Sequence, residues 1–318
     1  MGRSVELTIH GVKVKVARAK ECEVLSCFSD AETDLYDELP AMLGEYGHAA
    51  YKKEPSQHAL QVSKIELRKN ARQIEGLIEA GAYGSESDIR NLGRWGKVAY
   101  RKGTDDVDLH PFYFLFHIPE GRDLGYLVLQ RTGVEGVQSL LAEALHDSFS
   151  QRFDHHRLQI TSLIQESVVD ELNKGKASEV RFIRHELASD VAALIGPRTT
   201  VQQAGSMELV VRLNADGGLV SAIRQFISQS QEAGSVLELE ETRFQYDDVK
   251  VKTKLRGKER TVNLAEPNKI RASFDVTEEV SKGPSGHPRF QSISQVARSL
   301  LADFQATMVG GGSGADKN

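Results

Sequence analysis

Cysteine is nearly absent: Cys22 and Cys27 are the only two in 318 residues. Five positions apart and without further thiols, they lack the partners of a zinc quartet, and two half-buried thiols in a reduced cytoplasmic compartment are expected. Long apolar runs are absent too. The longest candidate, Phe112 to Ile118, is strand-sized and contains His117, far short of the roughly 20 residues of a membrane span. Met1 to Gly11 has no apolar h-region, so no secretory signal is expected. Catalytic signatures are also missing. There is no H-E-x-x-H, and no G-x-S-x-G supports a serine nucleophile.

What is present is an ordinary globular composition. Hydrophobic residues make up 40% and charged residues 27% of the chain, enough for a real core. The length suits two domains. The expected division is an N-terminal α+β domain over 1–150, a C-terminal α+β domain over 151–309 and a flexible tail or cloning remnant over 310–318.

Charge is unevenly spread. Between Val249 and Arg271 stand Lys250, Lys252, Lys254, Arg256, Lys258, Arg260, Lys269 and Arg271 against Glu259 and Glu266. That window carries +6, which leaves −11 for the remainder of a chain whose formal sum is −5. A local basic patch of this kind is the footprint of a phosphate-rich partner.

Periodicity supplies the elements. Val12 to Val16 alternates as a half-buried strand, and Asp30 to Glu38 reads as an acidic turn or short helix. Leu60 to Ile78 fits a helical stripe (Leu60, Leu67, Ala71, Ile74, Ile78) and strand alternation equally. Gly76, Gly81 and Gly84 favour strands from Gln73 onward. The apolar runs Phe112–Ile118 and Tyr126–Leu129, separated by turn residues, predict a buried hairpin. Val137, Leu140, Leu141, Ala144, Leu145 and Phe149 follow at helical spacing. Further on, Thr161 to Asn173 predicts a short helix, Glu179 to Ile183 and Met207 to Leu213 strands, and Leu219 to Ile227 a helix. Val236–Tyr246, Val249–Leu255, Arg260–Leu264 and Ile270–Val276 predict strands, and Ile293 to Met308 an amphipathic helix capped by Ser292 or Ser294. Strands and helices mix without a βαβ repeat, so the expected class is α+β, with mixed, mainly antiparallel sheets and packed amphipathic helices.

The basic strand carries the functional expectation. In Val249-Lys-Val-Lys-Thr-Lys-Leu-Arg256 every second residue is a cation. Strand alternation sets Lys250, Lys252, Lys254 and Arg256 on one face, roughly 6.5–7 Å apart. Gly257-Lys258 supplies a turn and Arg260 starts the return strand. Such a ribbon can track phosphates. No aromatic residue interleaves with the lysines, so backbone contact with little sequence preference is expected. The competing reading is a lysine-protected edge strand or a solvated sheet face.

Other constellations are weaker. Gln130 to Gly136 joins a strand to a helix and matches neither dinucleotide nor Walker glycine patterns, so turn chemistry explains it. Asp154-His155-His156 does not converge on one ion, and no metal or cofactor is expected. Asp105, Asp106 and Asp108, Asp247 and Asp248, or Glu238 and Glu240 with Lys250 and Lys252, only loosely suggest nuclease carboxylates. No catalytic residues are assigned.

The order of segments resembles the RexA-type phage-exclusion proteins and, more loosely, the Kiwa-system KwaB proteins of antiphage defence. The resemblance rests on Pro111–Phe116 with Gly125–Arg131 and the helix after it, on Leu158–Ile164 with Val180–Arg184, and on the run Met207 to Asn263 with the terminal helix Ile293 to Met308. It covers roughly 110–308 and includes no signature motif. It implies a homodimeric DNA-binding sensor of invading phage, working with a separate membrane effector protein. The expectation is therefore a cytoplasmic DNA-binding protein whose interface is Lys250, Lys252, Lys254, Arg256, Lys258 and Arg260. A metal-dependent defence nuclease and a protein–protein adaptor are the alternatives.

Overall fold

The computed structural model describes residues 4–16, 21–29, 32–133, 135–163, 177–184, 206–212, 236–239, 242–246, 248–255, 258–265 and 271–311. The chain divides into two compact units. One comprises Met1–Val5, Ile9–Thr161 and Val280–Arg298; the other comprises Glu6–Thr8, Ser162–Glu279 and Ser299–Asn318. Antiparallel sheets with packed helices make the class α+β. No helix among the described residues is long and apolar enough to cross a membrane.

In the first unit the elements run β1 (Val5–Val16), α1 (Leu35–His48), β2 (Tyr51–Lys53), β3 (His58–Arg68), β4 (Gln73–Ala82), β5 (Ser87–Arg90), β6 (Val98–Lys102), β7 (His110–His117), β8 (Gly125–Thr132), β9 (Glu135–Gly136), α2 (Gln138–Arg152) and β10 (His156–Ser162). The strand order is β1-β8-β7-β4-β3-β2, with β10 on β1 and β9 on β8. Phe112 to Phe116 in β7 are all buried, which explains an apolar run without alternation: the strand is covered on both faces. Phe112, Phe114 and Phe116 join Leu39, Met42 and Leu43 of α1 and Leu141, Leu145 and Phe149 of α2 in one core. Asp34, within the acidic stretch, is the cap of α1; its carboxylate accepts from the Tyr36 amide at 2.8 Å and from Arg72 at 2.7 Å.

The ambiguous segment is two strands. β3 and β4 pair from His58↔Ala82 to Arg68↔Gln73, with a bulge between Val62 and Lys64. The bulge shifts the phase, so Leu60 and Val62 before it and Ile65 after it keep one face. That shift produces the spacing that mimics a helix. Gly76 is required by close approach, since a Cβ there would lie 1.9 Å from the Lys64 carbonyl oxygen.

The opposite face of β4 carries Glu75, which is fully buried. Its carboxylate accepts from Tyr113 Oη at 2.6 Å, from Ser294 Oγ at 2.6 Å and from Arg68 Nε at 2.5 Å. Burial alone would raise its pKa, but these three hydrogen bonds and the Arg68 charge outweigh burial and hold it below the ordinary carboxylate range. Burial and the Glu75 carboxylate push Tyr113 up, well above an ordinary phenol. Ser294 belongs to α3 (Phe290–Gly311), whose buried stripe includes Ile293, Ala297, Leu300, Leu301 and Phe304. The helix already begins at Phe290, so neither serine expected as its cap serves as one. Ser292 Oγ instead accepts from the Ser281 amide at 2.9 Å.

In the second unit the described strands are β11 (Ala177–Arg184), β12 (Met207–Arg212), β13 (Val236–Leu239), β14 (Thr242–Gln245), β15 (Asp248–Leu255), β16 (Lys258–Ala265) and β17 (Arg271–Asp275). The order is β12-β11-β15-β16-β17, with Glu6–Thr8 of β1 on β17; β13 and β14 form a separate hairpin. Nearly all of the predicted helix from Thr161 to Asn173, and all of that from Leu219 to Ile227, lie outside the described residues.

Candidate nucleic-acid interface

The β15–β16 hairpin has the register Lys250↔Asn263, Lys252↔Thr261, Thr253↔Arg260, Lys254↔Glu259 and Leu255↔Lys258. Lys250, Lys252 and Lys254 therefore share one face. Lys258 and Arg260 occupy positions on the other face, with Val249 and Val251. Arg256 lies outside the described residues. β15 is an interior strand, flanked by β11 as well as β16. Its neighbours bring charge of both signs to the lysine face: Arg181 stands opposite Lys250 and Glu179 opposite Lys252.

Within that face the charges answer one another. Lys250 Nζ is 3.2 Å from Asp275 Oδ2, and both side chains are only 20% exposed. Glu179 accepts from Arg181 at 2.5 Å and from Arg212 at 3.4 Å, and these partners hold its pKa low. Lys252 also has a partner. Asp275 and Glu179 thus stand among the cations of this face and reduce the field it presents to a polyanion.

A second cationic surface is more open. Among the described residues β5 and β6 pair only with each other, from Ser87↔Lys102 to Arg90↔Val98, as a two-stranded ribbon separate from the main sheet. Every residue from Ser85 to Lys97 is exposed. Between Ser87 and Lys102 the ribbon holds Arg90, Arg94, Lys97, Arg101 and Lys102 against the single carboxylate Asp88. Asp88 is shared by Arg90 at 3.4 Å and Arg101 at 3.1 Å. Arg94 and Lys97, at the tip, make no ion pair with any described residue. Beside them stand Leu92 and Trp95, 89% and 64% exposed.

Local hydrogen bonds shape the tip. Asn91 Oδ1 accepts from the Gly93 amide at 2.8 Å, the Arg94 amide donates to Asn91 O at 3.0 Å, and Arg90 Nη1 donates to the Trp95 carbonyl at 3.1 Å. At the root, Lys102 Nζ donates to the Ala82 carbonyl at 3.0 Å and the Gly84 amide to Thr104 O at 2.7 Å. Asp106 accepts from Tyr100 Oη and from the Gly103 amide; these bonds hold its carboxyl below, and the Tyr100 phenol above, their ordinary values. The arm is thus a built ribbon on a fixed base. Its sequence sign was Gly93-Arg-Trp-Gly-Lys97: the sole tryptophan between two glycines, beside cations. No apolar periodicity draws attention to it.

The first unit also holds a cleft of about 540 Å³, lined by Lys53, His58, Lys102, Asp108, His110 and Ser139 among others. Its charges are largely matched internally. Lys53 pairs with Glu143, and His110 Nε2 lies 3.6 Å from Asp108 Oδ2. Of the loosely suggested nuclease carboxylates, Asp106 braces the arm and Asp108 faces His110. His156 packs edge-on against Phe28 at 5.8 Å. Among the described residues no group of three or more His, Cys, Asp and Glu side chains is placed to hold a metal ion.

No protein-family model matches this chain, and no curated protein matches it.

Proposed function

We propose that this protein binds DNA, largely without regard to sequence, and that the β5–β6 arm is its principal contact. The observation that carries the reading is the ribbon on which the exposed cations Arg90, Arg94, Lys97 and Arg101 stand against the single carboxylate Asp88. A two-stranded ribbon fits a duplex groove, and arginine and lysine along it reach phosphates on either side. Among the described residues, Arg94 and Lys97 have no ion pair to break before binding. The lysine face of β15 is the poorer contact, since Lys250 meets DNA only by giving up its Asp275 partner.

The resemblance to phage-exclusion proteins supplies a setting in which such a protein is a cytoplasmic, homodimeric sensor of invading DNA that signals to a membrane effector. The test is fluorescence anisotropy of a labelled 30-base-pair duplex titrated with the parent chain and with an Arg94→Glu, Lys97→Glu variant. Loss of binding by the variant, with an unchanged melting temperature, supports the reading. Equal binding by both overturns the assignment to the arm, and no binding by either overturns DNA binding itself.

A further inference from the structure

We infer that Leu92 and Trp95 form an apolar wedge that enters a base step of the bound duplex and bends it at the arm. The inference rests on the DNA-binding reading above and adds what the tip does once the ribbon is seated. Two large apolar side chains at the end of an ordered turn need an occupant. Neither packs into the core, and the hydrogen bonds from Asn91 and Arg90 fix the tip that presents them. Apolar wedges flanked by arginine and lysine are the means by which ribbon-like arms unstack and kink a duplex.

The arrangement also favours a wedge over other uses. A stacking platform for single strands needs a succession of aromatic faces along the cationic track. Here Trp95 stands alone at the tip, and Tyr100, the other aromatic residue of the ribbon, has its hydroxyl held by Asp106. A tip that entered lipid would carry Arg94 down between Leu92 and Trp95, since the three lie within four consecutive positions. Charge at that depth is strongly disfavoured. Beside a base step, the same arginine lies at the level of the phosphates.

Trp95 is the only tryptophan in the chain, so its emission reports the tip directly. The experiment uses the full-length chain and a duplex labelled at its two ends for energy transfer. Binding is followed by anisotropy, the tip by Trp95 emission, and bending by the end-to-end transfer. Expected are a loss of Trp95 emission that saturates with the anisotropy isotherm, and a rise in energy transfer. Replacing Leu92 and Trp95 by alanine should remove that rise and weaken affinity roughly 5- to 150-fold, about the worth of one stacked base. Binding with unchanged emission and unchanged transfer overturns the wedge while leaving DNA binding intact. Quenching by a single strand as strong as by duplex, without bending, overturns it in favour of stacking. A response to anionic phosphatidylserine vesicles but not to duplex, or no binding to either, overturns both the wedge and the function beneath it.

Discussion

Lys250 Nζ lies 3.2 Å from Asp275 Oδ2, and neither side chain is more than one-fifth exposed. The first cation of the basic strand is therefore a partner inside the sheet. Burial alone would raise the Asp275 pKa, but hydrogen bonds from Thr277 and the Lys250 charge outweigh burial and hold it below the ordinary carboxylate value. Lys250→Met should strand that carboxylate and cost about 1–3 kcal/mol of stability, read from the urea midpoint. DNA affinity of the folded variant should stay within about twofold of the parent, by the additivity of distant sites.

Glu75 ties β3, β4, β7 and α3 together through Arg68, Tyr113 and Ser294. Glu75→Leu leaves two buried hydroxyls without their acceptor and should cost about 2–4 kcal/mol. Glu75→Gln keeps an acceptor and should cost less. Because the folded carboxyl titrates below its unfolded value of about 4.3, its contribution is complete above that value. It is lost as pH falls through the folded pKa. Chemical denaturation from about pH 6 to about pH 3 should show the parent and the glutamine variant converging in acid. A gap that widens in acid would contradict the network.

Engagement of four phosphates by Arg90, Arg94, Lys97 and Arg101 sets the salt dependence. The slope of log K against log salt should be roughly −3 to −4, and neutralising Arg94 and Lys97 to glutamine, which weakens binding without reversing charge, should flatten it by about 2. Titrations between about 50 and 200 mM salt measure it.

Much of the fold is legible in the sequence because its strongest signals are local. The apolar run Phe112–Ile118, the buried Val249 and Val251 that alternate with Lys250 and Lys252, and the stripe from Val137 to Phe149 each follow from which faces are buried. Leu60 to Ile78 stays ambiguous because the bulge at Val62/Lys64 breaks the two-residue period. The lysine row at 250–254 is legible as a shared face. Its partners are not, because Asp275 and Glu179 reach it across sheet pairings distant in sequence. The arm escapes a reading by periodicity for the opposite reason. A ribbon exposed on both faces has no buried side to impose a pattern.

The most direct test of the account is to excise the arm. Ser87 and Lys102 are cross-strand partners at its base, so a two-residue glycine turn can replace the ribbon between them. Because Ser85 to Lys97 are all exposed and none joins the core, the shortened chain should unfold at close to the urea concentration of the parent and fail to raise the anisotropy of labelled duplex. A shortened chain that folds and still binds duplex with the parent's affinity would contradict the central claim.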